Sequence, residues 1–96
     1  MSVFLLTINS AESEASEKMN RLLASKYGQG NYIQLSDTAW LFEDKDSVTP
    51  QQACSVLDLN EPNNVAPYYG YLVSAFTGYW GFQESDVWQW LKLRGL

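Results

Sequence analysis

The sequence has no histidine, one cysteine and only three prolines. Without histidine the commonest general base is missing, and Ser-His-Asp chemistry and the usual zinc sites are excluded. The single thiol, Cys54, can form no internal disulfide, so nothing demands an oxidising compartment. No histidine activates Cys54, and beside Ala53 and Val56 it reads as a small core residue rather than a nucleophile. No apolar run approaches the roughly 20 residues of a membrane span. The opening run, residues 3–8, lacks a basic flank and meets Glu12, Glu14 and Glu17 almost at once, unlike a signal peptide. Positive charge is also scarce. Six basic residues stand against 11 acidic ones, for a net charge of −5 and a pI of about 4.4. Lys18, Arg21, Lys26, Lys45, Lys92 and Arg94 are spread along the chain, whereas nucleic-acid binders concentrate such residues. Lys18, Arg21 and Lys26 share one helical segment, and a solvated helix face is the simpler account of them. The expectation is a soluble, cytoplasmic protein that binds neither nucleic acid nor membrane.

What is present is a globular composition. Hydrophobic residues make up 46% and charged residues 18%, which sets the chain apart from disordered sequences. Aromatic residues reach 15%, enough to furnish a core for one domain spanning residues 1–96 without disulfide or metal staples. Residues 3–8, "VFLLTI", read as a buried strand. A helix follows, with Ala15, Met19, Leu22, Leu23 and Tyr27 on one stripe. Asn9, Ser10 and Ser13 are its candidate N-caps, three glutamates occupy its first turns, and Gly28 and Gly30 end it. Residues 32–35 and 38–43 read as a hairpin turning at Ser36 and Asp37. A second helix starts at the Thr49 cap, with Pro50 at its first position, Gln52 completing a capping box, and Ala53, Val56 and Leu57 forming its stripe. "NEPNN" stops it. "APYYGYLVSAF", apolar on both faces, reads as a fourth strand placed centrally. "TGYWGF" is a turn, and a closing helix capped by Ser85 buries Val87, Trp90 and Leu91. The order β-α-β-β-α-β plus a helix predicts an α+β, ferredoxin-like antiparallel sheet with an added C-terminal helix.

The segments "VFLLTIN", "DTAWLFEDKDSVTPQQ", "YYGYLVSAFTGYWGF" and "WQWLK", in this order, resemble small ferredoxin-like proteins. These are related to the Cas-two family of CRISPR adaptation proteins and their SinR-like relatives. The resemblance covers nearly the whole chain and implies a homodimer. In the nuclease members the first strand ends in an aspartate, and two such acids meet at the dimer interface to hold a divalent metal. Here that position carries Ile8 and Asn9. A neutral amide brings no charge to a hard cation, so no catalytic residue, metal ligand or cofactor is expected.

Glu12, Glu14 and Glu17 with Glu43, Asp44 and Asp46 are conceivable metal ligands, but "EDKD" reads more simply as a polar loop. "GQG" and "GYWG" match no phosphate-binding loop. The aromatic group has no neighbouring cations to pair with base stacking, so an interface is its better functional reading. Tyr69, Tyr71, Tyr79, Trp80, Phe82 and Trp88 are the interface candidates, against the plainer account that about half of the rings are core. The expectation is a non-catalytic interaction or regulatory protein, a homodimer that binds a protein partner. Two alternatives stand beside it. One is a divergent metal-dependent endoribonuclease. The other is an acidic nucleic-acid mimic, of the kind phages and mobile elements use against bacterial defence systems.

Overall fold

A computed structural model describes residues 2–59 and 68–96. It contains β1 (Ser2–Ile8), α1 (Ser13–Tyr27), β2 (Tyr32–Ser36), β3 (Ala39–Asp44), α2 (Pro50–Val56), β4 (Tyr71–Ala75) and α3 (Ser85–Lys92). This is an α+β protein with a four-stranded antiparallel sheet in the order β2-β3-β1-β4. β1 is central: Phe4 lies opposite Phe42 of β3 on one side and Ala75 of β4 on the other.

Strand alternation sends successive side chains to opposite faces of the sheet. Phe4, Leu6, Ile8, Trp40 and Phe42 join Ala15, Met19 and Leu23 of α1 and Ala53 and Cys54 of α2 in the larger core cluster. Val3 and Leu41 face the other way and meet Val87, Trp90 and Leu91 of α3 in a second cluster, with Leu5, Ile33, Leu35, Phe76 and Trp88 at its margin. The buried Trp40 indole is not left unsatisfied. It donates to Asn20 Oδ1 at 3.0 Å, Asn20 donates to Gln34 Oε1 at 3.0 Å, and Gln34 donates to Ser16 Oγ at 2.8 Å. This polar relay ties α1 to the hairpin.

Local signals act unequally. α2 begins as the sequence predicts, with Thr49 as N-cap, Pro50 following and a complete capping box with Gln52. α1 does not. Its N-cap is Glu12, no side chain caps it, and Ser13 is already helical. Ser10 instead accepts from the Glu12 amide at 3.3 Å, and of the three glutamates only Glu14 sits in the first turn. A missing cap costs about 1 kcal/mol. Burial of Met19 and Leu23, worth about 2 kcal/mol each, outweighs it. α3 likewise has Glu84, not Ser85, at its N-cap.

Other expectations are corrected. The hairpin turns at Asp37 and Thr38, with an irregularity between Gln34 and Ser36. On α2, Val56 is exposed and Cys54 takes its place in the core, because Ala53, Cys54 and Leu57 share the buried face of the helix and Val56 lies off it. β4 is an edge strand rather than a central one, and Leu72 on it is 66% exposed. Tyr68 and Tyr69 form a turn before it. "NEPNN", Ala66 and Pro67 lie outside the described residues. "EDKD" is not simply a loop: Glu43 and Asp44 belong to β3 and are buried.

Two polar anchors come from those acids. The Asp44 carboxylate accepts from the Tyr27 hydroxyl (2.7 Å), the Asp46 amide (2.9 Å), and both the Ser47 amide (2.8 Å) and hydroxyl (2.8 Å). Arg94 follows α3, with Nε 3.3 Å from Glu43 Oε2. Its guanidinium lies 3.8 Å from the Trp90 ring centroid and donates to the Gly30 carbonyl at 2.6 Å, which also receives the Trp90 indole at 2.9 Å. α3 is thus fastened to β3 and to the α1–β2 loop.

Candidate interaction surface

The position where the resemblance places a metal-binding acid lies at the end of β1. Ile8 is buried in the larger core cluster, and Asn9 is exposed. Three successive carbonyls before β4 converge on Asn9 and Ser10. The Asn9 amide donates to Tyr68 O (3.2 Å) and Gly70 O (3.0 Å), the Ser10 amide donates to Tyr68 O (3.0 Å), and Asn9 Nδ2 donates to Tyr69 O (2.9 Å). A carbonyl needs a donor, so the amide nitrogen of Asn9 has to face Tyr69. Asn9 therefore pins the entry to β4. It brings no negative charge, and among the described residues no group of three or more His, Cys, Asp or Glu could hold a metal ion. These residues do not fit a divalent cation.

This geometry makes a prediction. Asn9→Asp introduces the acid that the resemblance would place here but sets a carboxylate oxygen against the Tyr69 carbonyl. Thermal unfolding should show a loss of about 2 kcal/mol, larger than for Asn9→Ala, which only removes the bond. An Asn9→Asp protein as stable as wild type would contradict this account of the residue.

The aromatic candidates divide into groups. Tyr71 turns toward the larger core cluster, and its hydroxyl donates to the Leu59 carbonyl. Tyr79 stacks on Phe76 (4.9 Å) and Trp88 (6.1 Å) and donates to the Leu96 carbonyl at 2.8 Å. Trp88 is half-buried at the edge of the α3 cluster. Tyr69 is exposed, with a left-handed backbone at φ 55°. Trp80 and Phe82 stand apart, 101% and 94% exposed, on the loop between β4 and α3. They pack against nothing that would hold them in water. Beside them a crevice of about 100 Å³ is lined by Leu35, Leu41, Phe76, Tyr79, Trp80 and Trp88.

Burial pushes the Cys54 thiol up, away from the thiolate a nucleophile needs. Burial, reinforced by the Asp44 carboxylate, pushes the Tyr27 phenol up as well. Among the described residues no helix is long and apolar enough to cross a membrane.

Sequence reasoning named all these rings as interface candidates, because it separated strand from turn but had no local signal that divides a packed ring from an exposed one. It missed the Glu43–Arg94 and Asp44–Tyr27 pairs, whose partners are distant in sequence. No protein-family model matches the chain, and comparison with curated proteins likewise finds no match.

Proposed function

We propose that this is a non-catalytic interaction protein on a ferredoxin-like, Cas-two-like fold, acting in the cytoplasm as a homodimer that binds a protein partner. The order β2-β3-β1-β4 with antiparallel neighbours supports the fold reading, since β-α-β-β-α-β chains of that class interleave their strands in this way. The neutral Asn9, committed to Tyr69, supports the absence of metal-dependent cleavage.

The observation that carries the interaction reading is the full exposure of Trp80 and Phe82 next to an apolar crevice. Single exposed apolar residues are ordinary. A tryptophan and a phenylalanine on one short loop, beside an apolar crevice, are the composition of an interface centre. Self-complementary pairing about a two-fold axis is the commonest way to cover such a patch. In sedimentation equilibrium the wild type should be dimeric at micromolar concentration. Trp80→Asp should weaken dimerisation by about 2 kcal/mol, roughly thirtyfold. Because Trp80 makes no core contact, the released monomer should keep the wild-type circular dichroism spectrum, and its unfolding temperature should fall only by the lost contribution of dimerisation. A wild-type monomer at high micromolar concentration would sink the dimer.

A further inference from the structure

α3 and the tail after it are held to the rest of the molecule by side chains. Among the described residues they share no backbone hydrogen bond with the sheet. Val87, Trp90 and Leu91 pack with Val3 and Leu41, the Trp90 indole and the Arg94 guanidinium donate to the Gly30 carbonyl, and Arg94 pairs with Glu43. Trp88 stacks on Tyr79, whose hydroxyl donates to the Leu96 carbonyl. Each of these contacts joins a residue up to Tyr79 with one from Val87 onward, and none requires both to belong to the same copy of the chain. A helix seated on its own sheet differs from one seated on a neighbour's only in the connection, residues 80–84. That connection carries Trp80 and Phe82, 101% and 94% exposed. Between them lies Gly81, where an added Cβ would meet nothing within 4 Å, so no neighbour crowds the backbone there. α3 begins at Glu84 with no side-chain cap. Drawn out, residues 80–84 span roughly 16 Å, enough to carry the helix to an adjoining molecule.

We propose that two copies of the chain exchange α3: each helix seats on the sheet of the other copy, and the two 80–84 segments run past one another at the two-fold axis, where Trp80 and Phe82 become buried. This inference rests on the homodimer reading and specifies how the copies join. Exchange keeps every contact of α3 and adds the pairing of the two loops, and trading an identical element is a low-cost route to a dimer. The burial of four aromatic rings, which a closed monomer leaves in water, favours the exchanged form.

Two experiments test the exchange. Glu43→Arg and Arg94→Glu each set like charges together, whether the contact lies within one chain or across an exchanged homodimer. In a mixed exchanged dimer both contacts regain opposite charges, because each sheet meets the other variant's helix. Unfolded and refolded together, the two variants should form heterodimer about tenfold beyond the statistical mixture in native mass spectrometry, and it should melt above either variant alone. Without exchange both mismatches persist and folded variants mix statistically, which would overturn the proposal. The second experiment leaves those contacts intact. Spin labels are attached at Val48→Cys and Leu93→Cys, both exposed positions, in a Cys54→Ala background, and the labelled chain is refolded with excess unlabelled wild type. Val48 shares a cleft with Arg94 and Leu96, so the closed fold gives a short separation between the labels. Double electron–electron resonance should instead show a longer one, with the short separation returning when both chains carry Trp80→Asp. A dimer showing only the short separation would overturn the exchange and leave the homodimer standing, whereas a wild-type monomer would overturn both. The labels decide the matter even where a charge-reversed chain fails to fold.

Discussion

Replacing Asp44 with alanine should cost about 3 kcal/mol in urea unfolding at neutral pH. The carboxylate accepts four hydrogen bonds from three residues, and it does so while buried. Hydrogen bonds to a charged group are each worth about 1.5–3 kcal/mol, but those converging on one carboxylate share its charge and do not add. Alanine also strands the Tyr27 hydroxyl and the amides of Asp46 and Ser47. The effect should depend on pH in a definite direction. Burial by itself raises the Asp44 pKa, yet the bonds from Tyr27, Ser47 and Asp46 prevail and hold it below the ordinary value of 3.8. A carboxyl depressed in the folded state stabilises the fold above its unfolded pKa, and that stabilisation is lost as pH falls through the folded value. The difference between wild type and Asp44→Ala should therefore be flat at neutral pH and shrink only under strongly acid conditions. A gap that stayed constant into strong acid would mean that the charge of Asp44 contributes nothing.

Gly70→Ala should be comparably severe, at about 3 kcal/mol, although the residue lies outside the core. Gly70 has φ 120°, a conformation side chains rarely adopt, and a Cβ built there would stand 2.3 Å from Asn9 Nδ2. Strained backbone costs about 1–3 kcal/mol, and the displaced Asn9 adds the loss of its bond to Tyr69. A double-mutant cycle separates the two contributions. With Asn9→Ala already in place the clash is gone and only the strain remains, so the two substitutions together should cost less than their sum. Strict additivity would show that Asn9 and Gly70 do not interact.

Neither of these two sites was legible in the sequence, although other elements were. Thr49, Pro50 and Gln52 announce α2 because a capping box is written within four residues and needs no tertiary partner. β1, a short run apolar on both faces, and the stripe of α1, set by one buried face, were equally plain. The edge position of β4 was not. Its two-sided apolar pattern suits a central strand, and Leu72 gives no local sign that it remains exposed. Asp44 read as a loop residue, and the burial of Glu43 was missed, because Tyr27 and Arg94, which pair with them, arrive only through the fold; Ser47 alone is close in sequence. At the candidate interface the aromatic composition was evident. The division between Tyr71, held at the core, and Trp80, fully exposed, depends on where β4 ends.

The fastening of α3 by Arg94 has a consequence for chains that terminate early. The fourth strand ends at Ala75, so a product cut short before α3 still carries all four strands. In such a product Val3, Leu41, Ile33, Leu35 and Phe76 have no helix over them. It presents a bare apolar face together with the open β4 edge, and it should be recovered as aggregate or bound to chaperones.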